Sequence, residues 1–339
     1  MGIVGRMEWS GVRDLQTVQK MLQMILKDDR PIVLAMIVHV QGSAYRKEGS
    51  WMLLPEDGTQ IGIISGGCLE NDLQERAKKL FGIGQAEIVE YDLSAEDDSG
   101  WGRGAGCNGV VSVMIRDIDE QFRKCCRQIA VHLLKKEPVV FLQSMQDFSH
   151  SRSISMEDNE NPFKQENIQP FQEKAGMKML DGNSFYCQII WPQPTLYIIG
   201  TGADARPLAQ LASQAGYAIH LLDWRQSLCN ARHFPMADSF QIGDIGFLIA
   251  EIQFSPLDSV VIMTHDYQLD VRILQRFKNI QVLYLGILGS KRRTERLLGG
   301  VIPKWIHSPV GLSIGADGPE EIAVSIVAEL IALRRGKLT

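Results

Sequence analysis

A strand pattern over residues 195–199 runs directly into Gly200-Thr201-Gly202-Ala203-Asp204-Ala205, and a helical pattern follows to Gln214. Gly-x-Gly-x-x-Ala between a strand and a helix is the dinucleotide fingerprint of a doubly wound sheet, with alanine in the last place. Gly200 permits the tight turn, and Gly202 lets a pyrophosphate approach the backbone and the helix amino end. Asp223 follows Gly200 by 23 residues and ends the next strand pattern. A ribose-binding carboxylate is expected about 20 residues along. It favours a free 2′-hydroxyl, whereas Arg225 beside it would accept a phosphate. Further strands are expected at 239–242, 259–263 and 282–287, with helices between them. A last helix opens at Pro319, with Ile322, Ile326 and Leu330 on one face. This alternation predicts a parallel, Rossmann-like sheet.

The first half has another style. Residues 9–28 are helical in period, and 31–40 form an apolar run that reads as a buried strand. Strand patterns follow at 51–54, 60–65, 86–91 and 110–115. Gly66-Gly67-Cys68-Leu69-Glu70 places a lone cysteine on a glycine-rich turn before a helix expected over 69–81. There the first backbone N–H groups lack intrahelical partners, which favours thiolate over thiol and attracts anions. Gly66 and Gly67 carry no side chain to block a ligand. A turn followed by a buried cysteine acting as a small hydrophobe is equally compatible with this segment. A second glycine-flanked thiol, Cys107, lies in Gly106-Cys107-Asn108-Gly109.

These patterns predict an α/β chain: an amino-terminal α+β domain over 1–118, a connection over 119–194, and the Rossmann-like domain over 195–339. Within the connection, 118–136 reads as helix and 139–144 as extended. Residues 146–176 are polar and read as an exposed loop or partly disordered linker, and Asp181-Gly182-Asn183 reads as a hairpin turn.

Composition narrows the function classes. Charged residues are 22% and the net charge is −5, which argues against a broad nucleic-acid face. No window supplies the roughly 18 uncharged apolar residues of a membrane span. The amino terminus shows no signal-peptide apolar region, so a cytoplasmic protein with reduced thiols is expected. None of the six cysteines forms a C-x-x-C pair, so zinc-ribbon and iron–sulfur spacings are missing. In the second half, His265 follows the fourth strand pattern, where it would serve as an acid–base group or simply as a polar loop histidine. Ser290-Lys291-Arg292 opens a helix after the fifth, either as an anion cradle or as a solvated basic start.

Together these segments closely resemble the XdhC/CoxI family, accessory proteins that mature xanthine dehydrogenase and related molybdenum hydroxylases. The resemblance runs from Gly42-Ser43-Ala44-Tyr45-Arg46 through Gly66–Glu70 to Gly106–Gly109. It resumes at Gly200–Ala205, Met263–Asp266, Leu285–Arg292, His307–Gly311 and Gly315–Ala323. The family usually has proline where Tyr45 stands. The resemblance implies a protein that binds the molybdenum cofactor, molybdopterin or its dinucleotide form. A cysteine desulfurase and the large subunit of the molybdenum hydroxylase are the implied partners, and a homodimer the implied assembly. Cys68 and Cys107 would lie near the metal or its sulfur, with Ser43, Arg46, Gly66, Gly67 and Glu70 around the cofactor. The Gly200 loop, Asp223 and Ser290–Arg292 would take a nucleotide, NAD(P) included. An NAD(P)-dependent oxidoreductase is the alternative, but it gives the two thiols no role. Xanthine dehydrogenase itself is disfavoured by the missing cluster spacing and by length, and a non-catalytic dimeric scaffold is a further alternative.

Overall fold

A computed structural model describes residues 18–93 and 109–338. Two compact units divide them, with the division between Pro192 and Gln193.

The first unit begins with helix α1 (Val18–Lys27) and strands β1 (Ile32–Gly42), β2 (Trp51–Pro55) and β3 (Ile61–Gly62). Helix α2 (Glu70–Ala77), β4 (Ala86–Asp92), β5 (Gly109–Asp117) and helix α3 (Glu120–Leu134) follow. The five strands form one antiparallel sheet in the order β3-β2-β1-β5-β4. Strand β1 is apolar without alternation because both its faces are buried. Ile32, Leu34, Met36 and Val38 join the core beneath α1 and α3, whereas Val33, Ala35 and Ile37 join the one beneath α2. A two-residue period sends neighbours to opposite faces. The helix expected over 9–28 is observed from Val18, and its earlier residues lie outside the described ones.

Residues 119–194 differ from the connection expected of them. Strands β6 (Val139–Ser144), β7 (Ser151–Ser155), β8 (Ala175–Leu180) and β9 (Asn183–Ile190) form a second antiparallel sheet, β7-β6-β9-β8. Phe122 and Phe141 pack edge-on with centroids 6.0 Å apart, in the same core as Trp51 and Met21. Full burial of such side chains contributes about 2–3 kcal/mol each. The expected linker 146–176 therefore holds an edge strand, and Phe163 and Phe171 are buried beyond it. The hairpin at Asp181-Gly182-Asn183 joins β8 to β9 as expected.

The second unit contains strands β10 (Thr195–Ile199), β11 (Ala218–Asp223), β12 (Ser239–Ile242), β13 (Asp258–Ile262), β14 (Tyr284–Ile287) and β15 (Ile306–His307). All pair in parallel, in the order β12-β11-β10-β13-β14-β15. Helices α4 (Ala205–Gln214) and α8 (Gly318–Arg334) cover one face. Helices α5 (Ile245–Glu251), α6 (Tyr267–Phe277) and α7 (Lys291–Leu298) cover the other. Strand order reverses between β10 and β13, so the crevice at their carboxyl ends is where such sheets take ligands.

Candidate functional site

In the first unit, the turn after β3 presents Cys68. Gly67 has φ +111°, a conformation that side-chain-bearing residues rarely adopt, and space around it is open. Glu70 organises this turn. Its Oε1 accepts from the Ile64 and Ser65 N–H groups at 3.2 and 2.7 Å. Its Oε2 accepts from the Ser65 hydroxyl and from the Leu69 N–H, the latter at 3.2 Å. Burial pushes the Glu70 carboxyl up, but these donors outweigh it and hold the group below its usual range. Glu70 thus departs from the cofactor-binding role expected of it, because its carboxylate is spent on the turn. The Leu69 N–H, expected to serve Cys68 or an anion, is also taken.

Cys68 is only half-buried, whereas Cys125, Cys126, Cys187 and Cys229 are buried. Burial pushes the Cys125 and Cys187 thiols up to about 12 and that of Cys229 to about 11. These three are poor nucleophiles at neutral pH. Among the described residues Cys68 is the one accessible thiol. Cys107 lies outside them, but Gly109 follows it closely in sequence and pairs with Gly42. A Cβ at Gly109 would stand 2.8 Å from the Ser43 carbonyl oxygen, so Ser43 abuts the strand leaving that segment. The loop after Ser43 also reaches the Cys68 turn. A Cβ at Gly66 would lie 3.9 Å from the exposed Tyr45 ring. Arg46, next to Tyr45, has a buried Nε without a hydrogen-bond partner among the described residues. A buried guanidinium N–H without a partner is suited to an anion.

In the second unit, Gly200 does what the fingerprint requires. Its φ is +98°, and a Cβ there would lie 2.5 Å from the Met263 carbonyl oxygen. That close approach sets the Gly200 loop against the segment after β13. Asp204 of the loop and His265 meet, with His265 Nε2 2.6 Å from Asp204 Oδ2. Ala205 is buried as the first residue of α4. Gly202 leaves room that a Cβ would fill 2.7 Å from Asp204 Oδ1.

Asp223 departs from the ribose-binding expectation. It is fully buried. Its Oδ2 accepts from the Thr201 N–H at 2.6 Å and hydroxyl at 2.8 Å. Its Oδ1 accepts from the Arg225 N–H and Nε–H at 2.8 and 2.9 Å, and Arg225 Nη2 reaches Oδ2. Burial raises the carboxyl pKa, and the bonds from Arg225 and Thr201 outweigh it, leaving it below its usual range. Ser290 caps α7 by accepting from the Arg293 N–H. Lys291 and Arg292 are exposed and do not line the nearby cleft. Arg293, the last residue of the same basic run, turns inward to Asp270 at 2.7 Å.

The cleft itself, about 720 Å³, opens at the carboxyl ends of β13, β14 and β15. Asp204, His265, Ser290 and the 309–316 loop line it, with Ile322 and Ile326 of α8. Glu329 pins this loop from below. It accepts from the Gly311 N–H at 2.7 Å and from the Tyr284 hydroxyl, and lies 2.9 Å from His307 Nδ1. Neither Glu329 nor Asp204 stands out in the sequence.

A parallel sheet with a glycine loop at its switch point, preceded by an antiparallel unit carrying a thiol on a Gly-Gly turn, defines a two-unit protein of Rossmann type. The family models agree. The XdhC Rossmann domain matches residues 196–330, and the XdhC and CoxI family matches 25–92. The chain belongs to the XdhC/CoxI family. It is 37% identical over 327 residues to a Bacillus subtilis (strain 168) protein named as a probable xanthine dehydrogenase subunit, covering 93% of this chain and 97% of that one. It is 25% identical over 331 residues to the molybdenum cofactor insertion chaperone PaoD of Escherichia coli (strain K12), covering 95% and 89%. A solved structure described as a xanthine dehydrogenase from Bacillus halodurans superposes with a TM-score of 0.79 at 37% identity, over 96% of this chain and 97% of that one. Among the described residues no helix is long and apolar enough to cross a membrane.

The buried carboxylates fix the acid response. Glu329, like Glu70 and Asp223, is raised by burial but lowered further by His307, Tyr284 and Gly311. A carboxyl depressed on folding contributes stability that is complete above the unfolded value, near pH 4, and is lost as pH falls through the folded value. Melting temperature is therefore expected to fall below about pH 4, with a shallower slope in Glu329→Gln. An acid slope as steep in that variant as in the wild type would contradict this assignment.

Proposed function

We propose that this chain is an accessory protein of molybdenum-hydroxylase maturation. It binds the molybdenum cofactor, keeps it while a cysteine desulfurase partner installs the terminal sulfur, and delivers it to xanthine dehydrogenase or a related molybdenum hydroxylase. The reading rests foremost on likeness over 95% of the chain to a protein named as a molybdenum cofactor insertion chaperone. The chemistry of the first unit supports it.

When bound, the cofactor supplies a metal with soft sulfur around it and an anionic phosphate, and soft centres suit thiolates. Cys68 would face the metal or its sulfur, and Cys107 would share that role. Arg46, whose Nε is a buried donor without a partner among the described residues, would hold an anionic oxygen, and Ser43 of the same loop would share that role. Gly66 and Gly67 leave the backbone bare for close approach. Glu70 serves by fixing the turn on which Cys68 stands.

Cys68→Ala is expected to lower cofactor retention several-fold without changing the melting temperature by more than about a degree, since the thiol is only half-buried. Mass spectrometry of the pterin released from equal amounts of purified protein reads the difference. Equal retention by the variant would remove the thiol from the mechanism.

A further inference from the structure

Residues 119–194, expected to serve as a connection, reach the loop that carries Ser43, Tyr45 and Arg46. That loop leaves β1 after Gly42 and returns to β2 at Trp51. On β9, Tyr186, Gln188 and Ile190 share one face, and the first and last of them belong to the core beneath α1 and α3. Gln188 is buried between them. A buried amide lowers stability unless it is hydrogen-bonded, and packing alone would be met by an aliphatic residue.

The bonds of Gln188 show what the amide does there. Trp51 Nε1 donates to Gln188 Oε1 at 2.9 Å, and the Tyr186 hydroxyl does so at 3.1 Å. An indole N–H can only donate, so the amide oxygen must face it and the amide nitrogen must face away. That nitrogen donates to the Gly49 carbonyl at 3.0 Å. The approach is close. A Cβ at Gly49 would stand 3.0 Å from Gln188 Nε2 and 3.2 Å from the Ala175 Cβ of β8. Beside Gly49, Glu48 Oε1 accepts the Val40 N–H at 3.1 Å, which ties the loop to β1 as well. Arg46 has no such tie. Its buried Nε lacks a partner, and it forms no ion pair among the described residues. The backbone that carries Arg46 is therefore what sets its place.

We propose that Gln188 is a positioning residue for Arg46. By holding the Gly49 carbonyl it fixes the return of the loop, and with it the point where the Arg46 guanidinium meets an anionic group of the cargo. The cargo rests on the carrier reading above, whereas the hold on the loop does not.

Gln188→Glu is the informative variant. Its carboxylate still accepts from Trp51 and Tyr186, but it has no N–H for Gly49 and sets an oxygen against that carbonyl. Gln188→Met, close in volume and uncharged, takes its place if the buried charge prevents folding. Trypsin cleavage after Arg46 and Lys47 in the folded full-length protein is expected to quicken about tenfold, with cleavage after Lys135 unchanged. Arg46→Gln is expected to lower retained pterin several-fold in the wild-type background, read by mass spectrometry, and to add almost nothing in the Gln188 variant. Unchanged cleavage of the loop, or an equal loss from Arg46→Gln in both backgrounds, would overturn the proposal. Wild-type protein without pterin would instead end the carrier reading, and the trypsin comparison would still decide the hold on the loop.

Discussion

Asp223→Ala is expected to destabilise the Rossmann-type unit by about 3–5 kcal/mol, the range for stripping one partner from a buried, charge-assisted network. The carboxylate is fully buried and accepts five hydrogen bonds from Thr201 and Arg225. Its loss strands the Thr201 N–H inside the glycine-loop turn and leaves Arg225 without its partner. For a unit of this size the drop corresponds to roughly 10 °C in melting temperature by calorimetry. Asp223→Asn, which keeps both acceptor geometry and volume in part, should fall between. A ribose-binding carboxylate would behave differently. Its removal would change nucleotide affinity and leave stability within about 1 kcal/mol. Calorimetry on the unliganded protein separates the two roles.

Glu70→Ala is the second substitution with a large expected effect. Four donors converge on that carboxylate: the N–H groups of Ile64, Ser65 and Leu69, and the Ser65 hydroxyl. Leaving them unsatisfied in a buried turn costs about 3 kcal/mol. The local consequence is more informative than the global one. With the turn loosened, Cys68 should react faster with iodoacetamide, while Cys125 and Cys126, buried in another core, should not. Peptide mass spectrometry resolves the sites. Equal acceleration at all the thiols would indicate global unfolding, and no acceleration at Cys68 would mean that Glu70 does not hold the turn.

These two carboxylates show where sequence reading stops. Spacing places Asp223 correctly at the end of β11, and the Gly200 turn is legible because only glycine tolerates both its φ and the approach of Met263. Spacing does not say whether a carboxylate faces a ligand or its own loop. That depends on Thr201 and Arg225, whose directions are set by tertiary packing. Glu70 likewise declares its charge but not its inward turn. Residues 146–176 read as a linker because β7, Ser-Arg-Ser-Ile-Ser, is an edge strand with a single aliphatic, so its pattern is that of a loop. The two-residue β15 is too short to carry any periodicity. Asp204 and His265, 61 residues apart in sequence, meet only because parallel pairing of β10 with β13 aligns their carboxyl ends.

The carrier role is tested most directly by transfer. The protein is purified from cells able to make the cofactor and incubated with a molybdenum hydroxylase prepared without it, and the activity gained is followed over time. Gain in proportion to the molybdenum brought by this protein, and none from protein made in cofactor-deficient cells, is the predicted result. Equal gain from both preparations, or purified protein free of molybdenum and pterin, would contradict it.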